Sequence, residues 1–305
     1  MLQLIVQIAV DAISLGSLLA LTALGIGLIF GIMRLINFAH GDFIMLGAYA
    51  LIVPSAADAA MMFIGVWPAP ILVISVIAIL IVVALASERI AFRPLRTADP
   101  SILLITSFAL SFFFQNLVLM VYSGRPKGVP LWPDLVKPIY LGPIRVPELH
   151  IITVCVTLAL LVLLVLFLKK TTIGVQMRAA SEDFRMAQLL GVRGNRVIAA
   201  AFAISGLLAA VVSLLFVSQT GTLSFKMGVP LVLFAFVATV VGGMGSLVGA
   251  VLGGFVVGVS SIVFQAILPM EMRMNDDAWV FALVLLILLV RPGGLVSVKA
   301  LQERV

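Results

Sequence analysis

The chain reads as a succession of long apolar runs broken by short polar segments, and nothing in it alternates with a period of two. The runs occupy about 4–30, 43–65, 70–86, 102–121, 151–168, 197–217, 229–241, 247–268 and 279–290. Most approach the roughly 20 residues that a helix needs to cross a hydrocarbon core. Unpaired backbone groups are too costly in lipid, so the runs are predicted to be helices, or pieces of helix buried among helices. A β-barrel, which needs alternating segments, is excluded. The predicted architecture is an all-α polytopic membrane bundle of about 8–10 transmembrane segments, some of them broken or re-entrant. The run 4–30 is long for one span, and 229–241 is short.

Three interruptions stand out. In the first, 30–50, four polar groups (Arg34, Asn37, His40 and Asp42) and three glycines break apolar sequence. A short turn between two spans would explain it. So would a broken helix whose unwound backbone and polar side chains line a solvated cavity. His40 and Asp42 lack a third nearby ligand, so no metal site is expected. The second, 171–197, is a polar loop predicted to be helical, with Thr172 at its start and Gly191 at its end. On one continuous helix Arg178, Ser181, Glu182 and Arg185 share an arc, and Ala180, Phe184, Ala187 and Leu190 share another. Such a helix suits a partner's groove or the lipid headgroups. The third, 240–261, repeats glycine at spacings that allow close helix contact, and Gly242, Gly243, Gly245 and Ser246 read as a chain break. It loosely echoes 31–53, and paired interruptions of this kind point to a transport pathway.

Composition agrees with the pattern. Apolar residues make up 63% of the 305 and charged residues 10%, against roughly 25% charged in a soluble domain. No polar stretch is long enough for a second domain, so residues 1–305 are expected to form one membrane domain with 171–196 as its main loop. The net charge of +6 lies in clusters between spans, so nucleic acid is not the expected partner. Basic residues gather at 87–99, at 169–196 and in the C-terminal tail (Arg291, Lys299, Arg304). The positive-inside rule makes that side, and the C-terminus, cytoplasmic. Residues 122–150, with Trp132 and several prolines, then form an ordered cap outside. Nine full crossings would put the N-terminus outside, and a re-entrant run would bring it inside. The N-terminal sequence has no basic residue ahead of its apolar run and reads as a first span. Cys155, the only cysteine, is expected to be a packing residue. There is no phosphate loop of the G-x4-G-K-[ST] type and no Ser/His/Asp grouping, so no catalytic residue is expected. Acids inside the spans are few (Asp11, Asp42, Asp58), which disfavours a proton-coupled carrier.

The motifs GLIFGIMRLINFAHGDFIMLGAY and RAASEDFRMAQLLGVRGNRVIAAAFAISG closely resemble permease subunits of branched-chain amino acid ABC importers of the bacterial inner membrane. ERIAFRPLR, VVGGMGSLVGA and LLVRPGGL fit as well, so the resemblance covers essentially the whole chain. The short N-terminus and the INFAHGD form resemble the shorter, H-type permease. Related permeases for urea and short amides share much of this pattern. The resemblance implies that 174–191 is a coupling helix on separate ATPase subunits, with Glu182, Asp183, Ala187 and Gly191 as its matched positions and Arg178 and Arg185 meeting charges on the ATPase. It also implies a second permease subunit, two ATP-binding subunits and a periplasmic substrate-binding protein, with no cofactor on this chain. Asn37, His40, Asp42, Gly243 and Gly245 are the candidate pathway residues. A secondary carrier or channel is the alternative of a different class.

Overall fold

The computed structural model describes residues 2–296, apart from 58, 97, 142, 143 and 274. Twelve helices account for most of these residues. Six are long and apolar enough to cross a membrane: α1 (Leu2–Met33), α3 (Ala69–Ser87), α4 (Pro100–Tyr122), α5 (Glu148–Lys170), α8 (Gly194–Thr220) and α10 (Leu247–Ile267). Three shorter helices, α2 (His40–Tyr49), α9 (Gly228–Gly242) and α12 (Asp276–Val290), complete the bundle. Two short helices, α6 (Thr172–Glu182) and α7 (Phe184–Leu189), form the polar loop, and α11 (Met270–Arg273) lies between α10 and α12.

α1 is the axis of the molecule. It packs against α5, α8, α9 and α10, and 83% of its apolar window is buried, against 22% for each of α3, α4 and α5. The long first run is therefore one helix of 32 residues, about 48 Å at 1.5 Å per residue. Glycine sets how closely its neighbours approach. A Cβ on Gly258 of α10 would lie 2.4 Å from Gly16 Cα, and one on Gly254 would lie 2.5 Å from Ala20 Cα. On the other side of α10, a Cβ on Gly253 would reach 1.9 Å from the Ala238 carbonyl of α9. α10 is thus pressed between α1 and α9 on two glycine-lined faces, as the spacing predicts.

The run 43–65 is not one span. α2 stops after ten residues, and the chain then folds back on itself through an isolated bridge between Ile52 and Met62. Pro54 biases Val53 away from helix, while Leu51, Ile52 and Ile64 stay buried. Contacts between loops define the two ends of the bundle. At one end, β1 (Lys127–Gly128) pairs with β4 (Thr222–Leu223), and the buried Lys127 donates from Nζ to the carbonyls of Ser55 and Ala57 at 2.6 and 2.8 Å. The hairpin β2 (Pro138–Leu141) and β3 (Ile144–Pro147) lies at this end with Gln7, whose side chain accepts from the Arg145 N–H at 3.3 Å. At the other end, Arg96 joins Glu88 to Asn195, and Leu295 and Val296 donate to the carbonyls of Val241 and Gly242. The basic segments 87–99 and 169–196 and Arg291 therefore share one end, opposite the start of α1. Lys299 and Arg304 lie outside the described residues, as does Asp58.

Candidate functional site

The break at 34–39 is real. α1 ends at Met33, Arg34 takes a left-handed conformation with φ of 55°, and helix resumes at His40. The unwound stretch is held from α4, where Ser107 Oγ donates to the Ile36 carbonyl at 3.3 Å and accepts from the Phe38 N–H at 3.4 Å. The Phe38 ring stacks on Phe108 with centroids 4.4 Å apart. Asn37, His40 and Asp42 are then carried inward and are buried. His40 Nδ1 is hydrogen-bonded to Ser205 Oγ of α8 at 2.9 Å, and Gly25 of α1 leaves room for the imidazole, since a Cβ there would come within 2.3 Å of Cε1. Asp42 accepts from Gln115 Nε2 at 3.0 Å, and the same nitrogen reaches Ser111. Both amide atoms of Asn37, and Nε2 of His40, lack a hydrogen-bond partner among the described residues. These three side chains face protein. The two cavities at the loop end are lined instead by Gly31 and Gly245. Sequence reasoning did not single out Ser107, Ser111 and Gln115, although their spacing of four along α4 puts them on one helix face.

The second break matches its predicted position. α9 ends at Gly242. Gly243 and Gly245 have φ of 108° and 92°, and Ser246 caps α10 by accepting from the Gly249 N–H at 3.0 Å. Gly243 touches the segment after α12, where a Cβ would fall 2.3 Å from the Val296 carbonyl. Gly245 faces Arg34 across a cavity of about 290 Å³, also lined by Arg178, Ser181 and Glu182. The two breaks thus meet at the end of the bundle where the polar loop sits.

That loop is two helices, not one. Thr171, rather than Thr172, caps α6 by accepting from the Gly174 N–H at 3.0 Å. At Asp183 the backbone is extended, and its carboxylate caps α7 by accepting from the Met186 N–H at 2.9 Å. The single helical wheel therefore fails beyond Glu182. Ala180 and Ala187 are buried while Leu190 is exposed. Arg178 Nε donates to the Leu168 carbonyl at 3.0 Å, and Arg185 lies on the surface. Gly191 ends α7 as expected: its φ is 91°, its N–H donates to the Gln188 carbonyl, and the Val192 N–H returns to the Ala187 carbonyl, a Schellman pattern. Met186, Leu189 and Leu190 form an apolar tip, 54%, 77% and 80% exposed.

Known proteins place this architecture. Over 298 residues the chain is 33% identical to the high-affinity branched-chain amino acid transport system permease protein BraD of Pseudomonas aeruginosa, covering 95% of both chains. Over 296 residues it is 33% identical to the permease protein LivH of Escherichia coli, covering 94% of both. A partial likeness, 28% over 162 residues, reaches the autoinducer 2 import system permease protein LsrC of Photorhabdus luminescens and covers half of this chain. No solved structure matches. The family model described as "Branched-chain amino acid transport system / permease component" matches residues 8–291, and with that coverage the chain belongs to this family of multi-pass membrane permeases.

Proposed function

We propose that the chain is the transmembrane permease subunit of an ATP-driven importer for branched-chain amino acids, forming the translocation pathway and coupling to separate ATPase subunits. The observation that carries this reading is the near full-length similarity to two permeases of high-affinity branched-chain amino acid transport systems. The loop geometry supports it. An apolar tip of Met186, Leu189 and Leu190 beside Arg185, on a short helix braced by the Asp183 cap and a Schellman turn, suits insertion into a groove of a partner protein.

The assembly in this reading comprises this permease, a second permease, two ATP-binding subunits and a periplasmic binding protein. ATP binds on the partners, and this chain needs no cofactor. The basic end of the bundle is cytoplasmic by the positive-inside rule, which places 122–150 where a loaded binding protein would dock. Motion of the ATPases reaches the pathway through α6, which packs on α1, α5 and α8 and borders both chain breaks. Asp183 and Ala187 serve this transmission by shaping the loop, Gly191 by ending it, and Arg185 by facing the partner. Asn37, His40 and Asp42 act in the pathway when α2 shifts and their buried polar atoms meet water or cargo.

The test is uptake of radiolabelled leucine, isoleucine and valine by cells expressing the chain with its partner proteins in a strain lacking other carriers. ATP-dependent, saturable uptake that disappears on deletion of the ATPases is expected. Uptake that persists without them would instead reveal a secondary carrier.

A further inference from the structure

The cavity of about 290 Å³ between the chain breaks and α6 lies at the basic end of the bundle and is lined by side chains of opposite charge, Arg34 and Glu182. Arg34 is exposed there in its left-handed conformation, and its side chain has no hydrogen-bond or ion-pair partner among the described residues. Glu182, at the last position of α6, lines the same cavity and is likewise unpartnered. The start of α10 borders it at Leu247 and Val248. Backbone N–H groups in the first turn of a helix have no intrahelical acceptors and favour an anion. A second, smaller cavity of about 50 Å³ shares Gly31, Arg178 and Gly245 with the first and runs deeper, between apolar side chains such as Leu28, Ile32 and Met177.

We propose that these two connected cavities form a subsite for a free amino acid with a branched apolar side chain. Its carboxylate meets Arg34 and the start of α10, its ammonium faces Glu182, and its side chain enters the inner cavity. The assignment rests on the importer reading and deepens it, by placing the cargo at the basic end of this chain before release. The chemistry fits a zwitterion better than a simple anion, because Glu182 would repel a lone carboxylate or phosphate. It fits an apolar cargo better than a polar one, because the inner cavity offers the cargo's side chain no charged partner apart from Arg178, which already donates to the Leu168 carbonyl. Glu182 therefore has a role inside this chain in addition to its place on the coupling loop.

Gly31 gives a clean way to block the site. A Cβ there would lie 3.8 Å from the Gly245 carbonyl, an ordinary contact, with no other atom within 4 Å. A larger side chain therefore has room to fill the cavity without striking backbone. The experiment uses the whole transporter complex in nanodiscs, without the soluble binding protein, and measures equilibrium binding of tritiated leucine. Wild-type complex is expected to bind leucine and to be poorly competed by leucinol, which lacks the carboxylate, and by 4-methylpentanoate, which lacks the ammonium. Arg34→Gln and Glu182→Gln should each weaken binding about tenfold or more, as expected on losing a charged hydrogen bond. Gly31→Leu should abolish it, and Gly31→Ala should retain most of it. ATPase subunits should co-purify with Arg34→Gln and with both Gly31 variants, which separates loss of the site from loss of assembly. Unchanged leucine affinity in the two charge variants and in Gly31→Leu, in a complex that transports leucine, would overturn the subsite alone. A wild-type complex that transports none of the three branched-chain amino acids would overturn the importer reading, and the subsite with it.

Discussion

Asn37 is an amide sealed in the bundle with neither its oxygen nor its nitrogen paired among the described residues. A buried polar group in that condition costs roughly 1–3 kcal/mol, and the cost is avoided once water or a zwitterion reaches it. Asn37→Leu removes the unsatisfied atoms at similar volume. It is expected to leave the inserted amount and the melting temperature unchanged or raised, while uptake per inserted molecule falls about tenfold, corresponding to 1.4 kcal/mol on a barrier. Unchanged uptake per molecule would remove Asn37 from the pathway. His40→Leu differs, because it also breaks the bond to Ser205, so lower stability should accompany the transport defect. Gly191 poses the opposite problem: its φ is 91° but nothing lies within 4 Å of a Cβ placed there. Gly191→Ala therefore tests backbone strain alone, about 1–2 kcal/mol, and should keep most uptake. Gly191→Arg adds bulk beside the exposed tip and should abolish uptake and co-purification of the ATPases, with the protein still in the membrane.

At the scale of elements, α10 shows which features a sequence exposes. Its glycines recur at helical spacing, and that spacing forecast close packing because only a missing Cβ lets two backbones approach so nearly. Gly258→Val should lower the amount of inserted protein severely, since its Cβ would meet Gly16 backbone at 2.4 Å. Gly128→Ala, where nothing lies within 4 Å, is the matching control, and detergent-extracted yield with a thermal melt reads both. Features set by tertiary contact were not legible in this way. The apolar run 43–65 hid a ten-residue helix and a folded-back loop, because that loop is itself buried and so is as apolar as a span. The partners of His40 and Asp42 were hidden as well, since Ser205 is 165 positions from His40 and Gln115 is 73 from Asp42. Asp183 was legible in principle: aspartate is a strong N-cap, and reading 171–191 as one helix passed over it. Its two-helix form has a consequence that can be measured. Replacing Met186, Leu189 and Leu190 together with serine leaves the caps and the buried Ala180 and Ala187 untouched, so the permease should insert normally but lose its ATPases on purification.

For the whole molecule, the contacts at the two ends convert a chain of helices into an orientation. Gln7 meets the Arg145 N–H, and Asp11 lies 3.5 Å from His150. α1 therefore starts at the end that holds residues 122–150 and reaches the basic end at Arg34, which lines the cavity with Arg178. Counting α2, α9 and α12 as short passes, nine elements then carry the chain from one end to the other, so its first and last described segments lie at opposite ends. In the proposed reading the basic end is cytoplasmic, as the positive-inside rule expects, and labelling tests that assignment directly. Cys155, which is exposed on α5, is first replaced by serine. Leu190→Cys, at a position 80% exposed on the loop tip, and Asp134→Cys, where the side chain is 83% exposed beside Lys137, then report on the two ends. A membrane-impermeant maleimide added to intact cells with a permeable outer membrane should label position 134 and spare position 190. Inside-out vesicles should reverse the pattern. Labelling of both positions from one face would break the inferred two-ended arrangement. The reversed pattern would keep that arrangement and overturn the charge-based orientation, and with it the placement of the ATPase tip and the amino acid subsite in the cytoplasm.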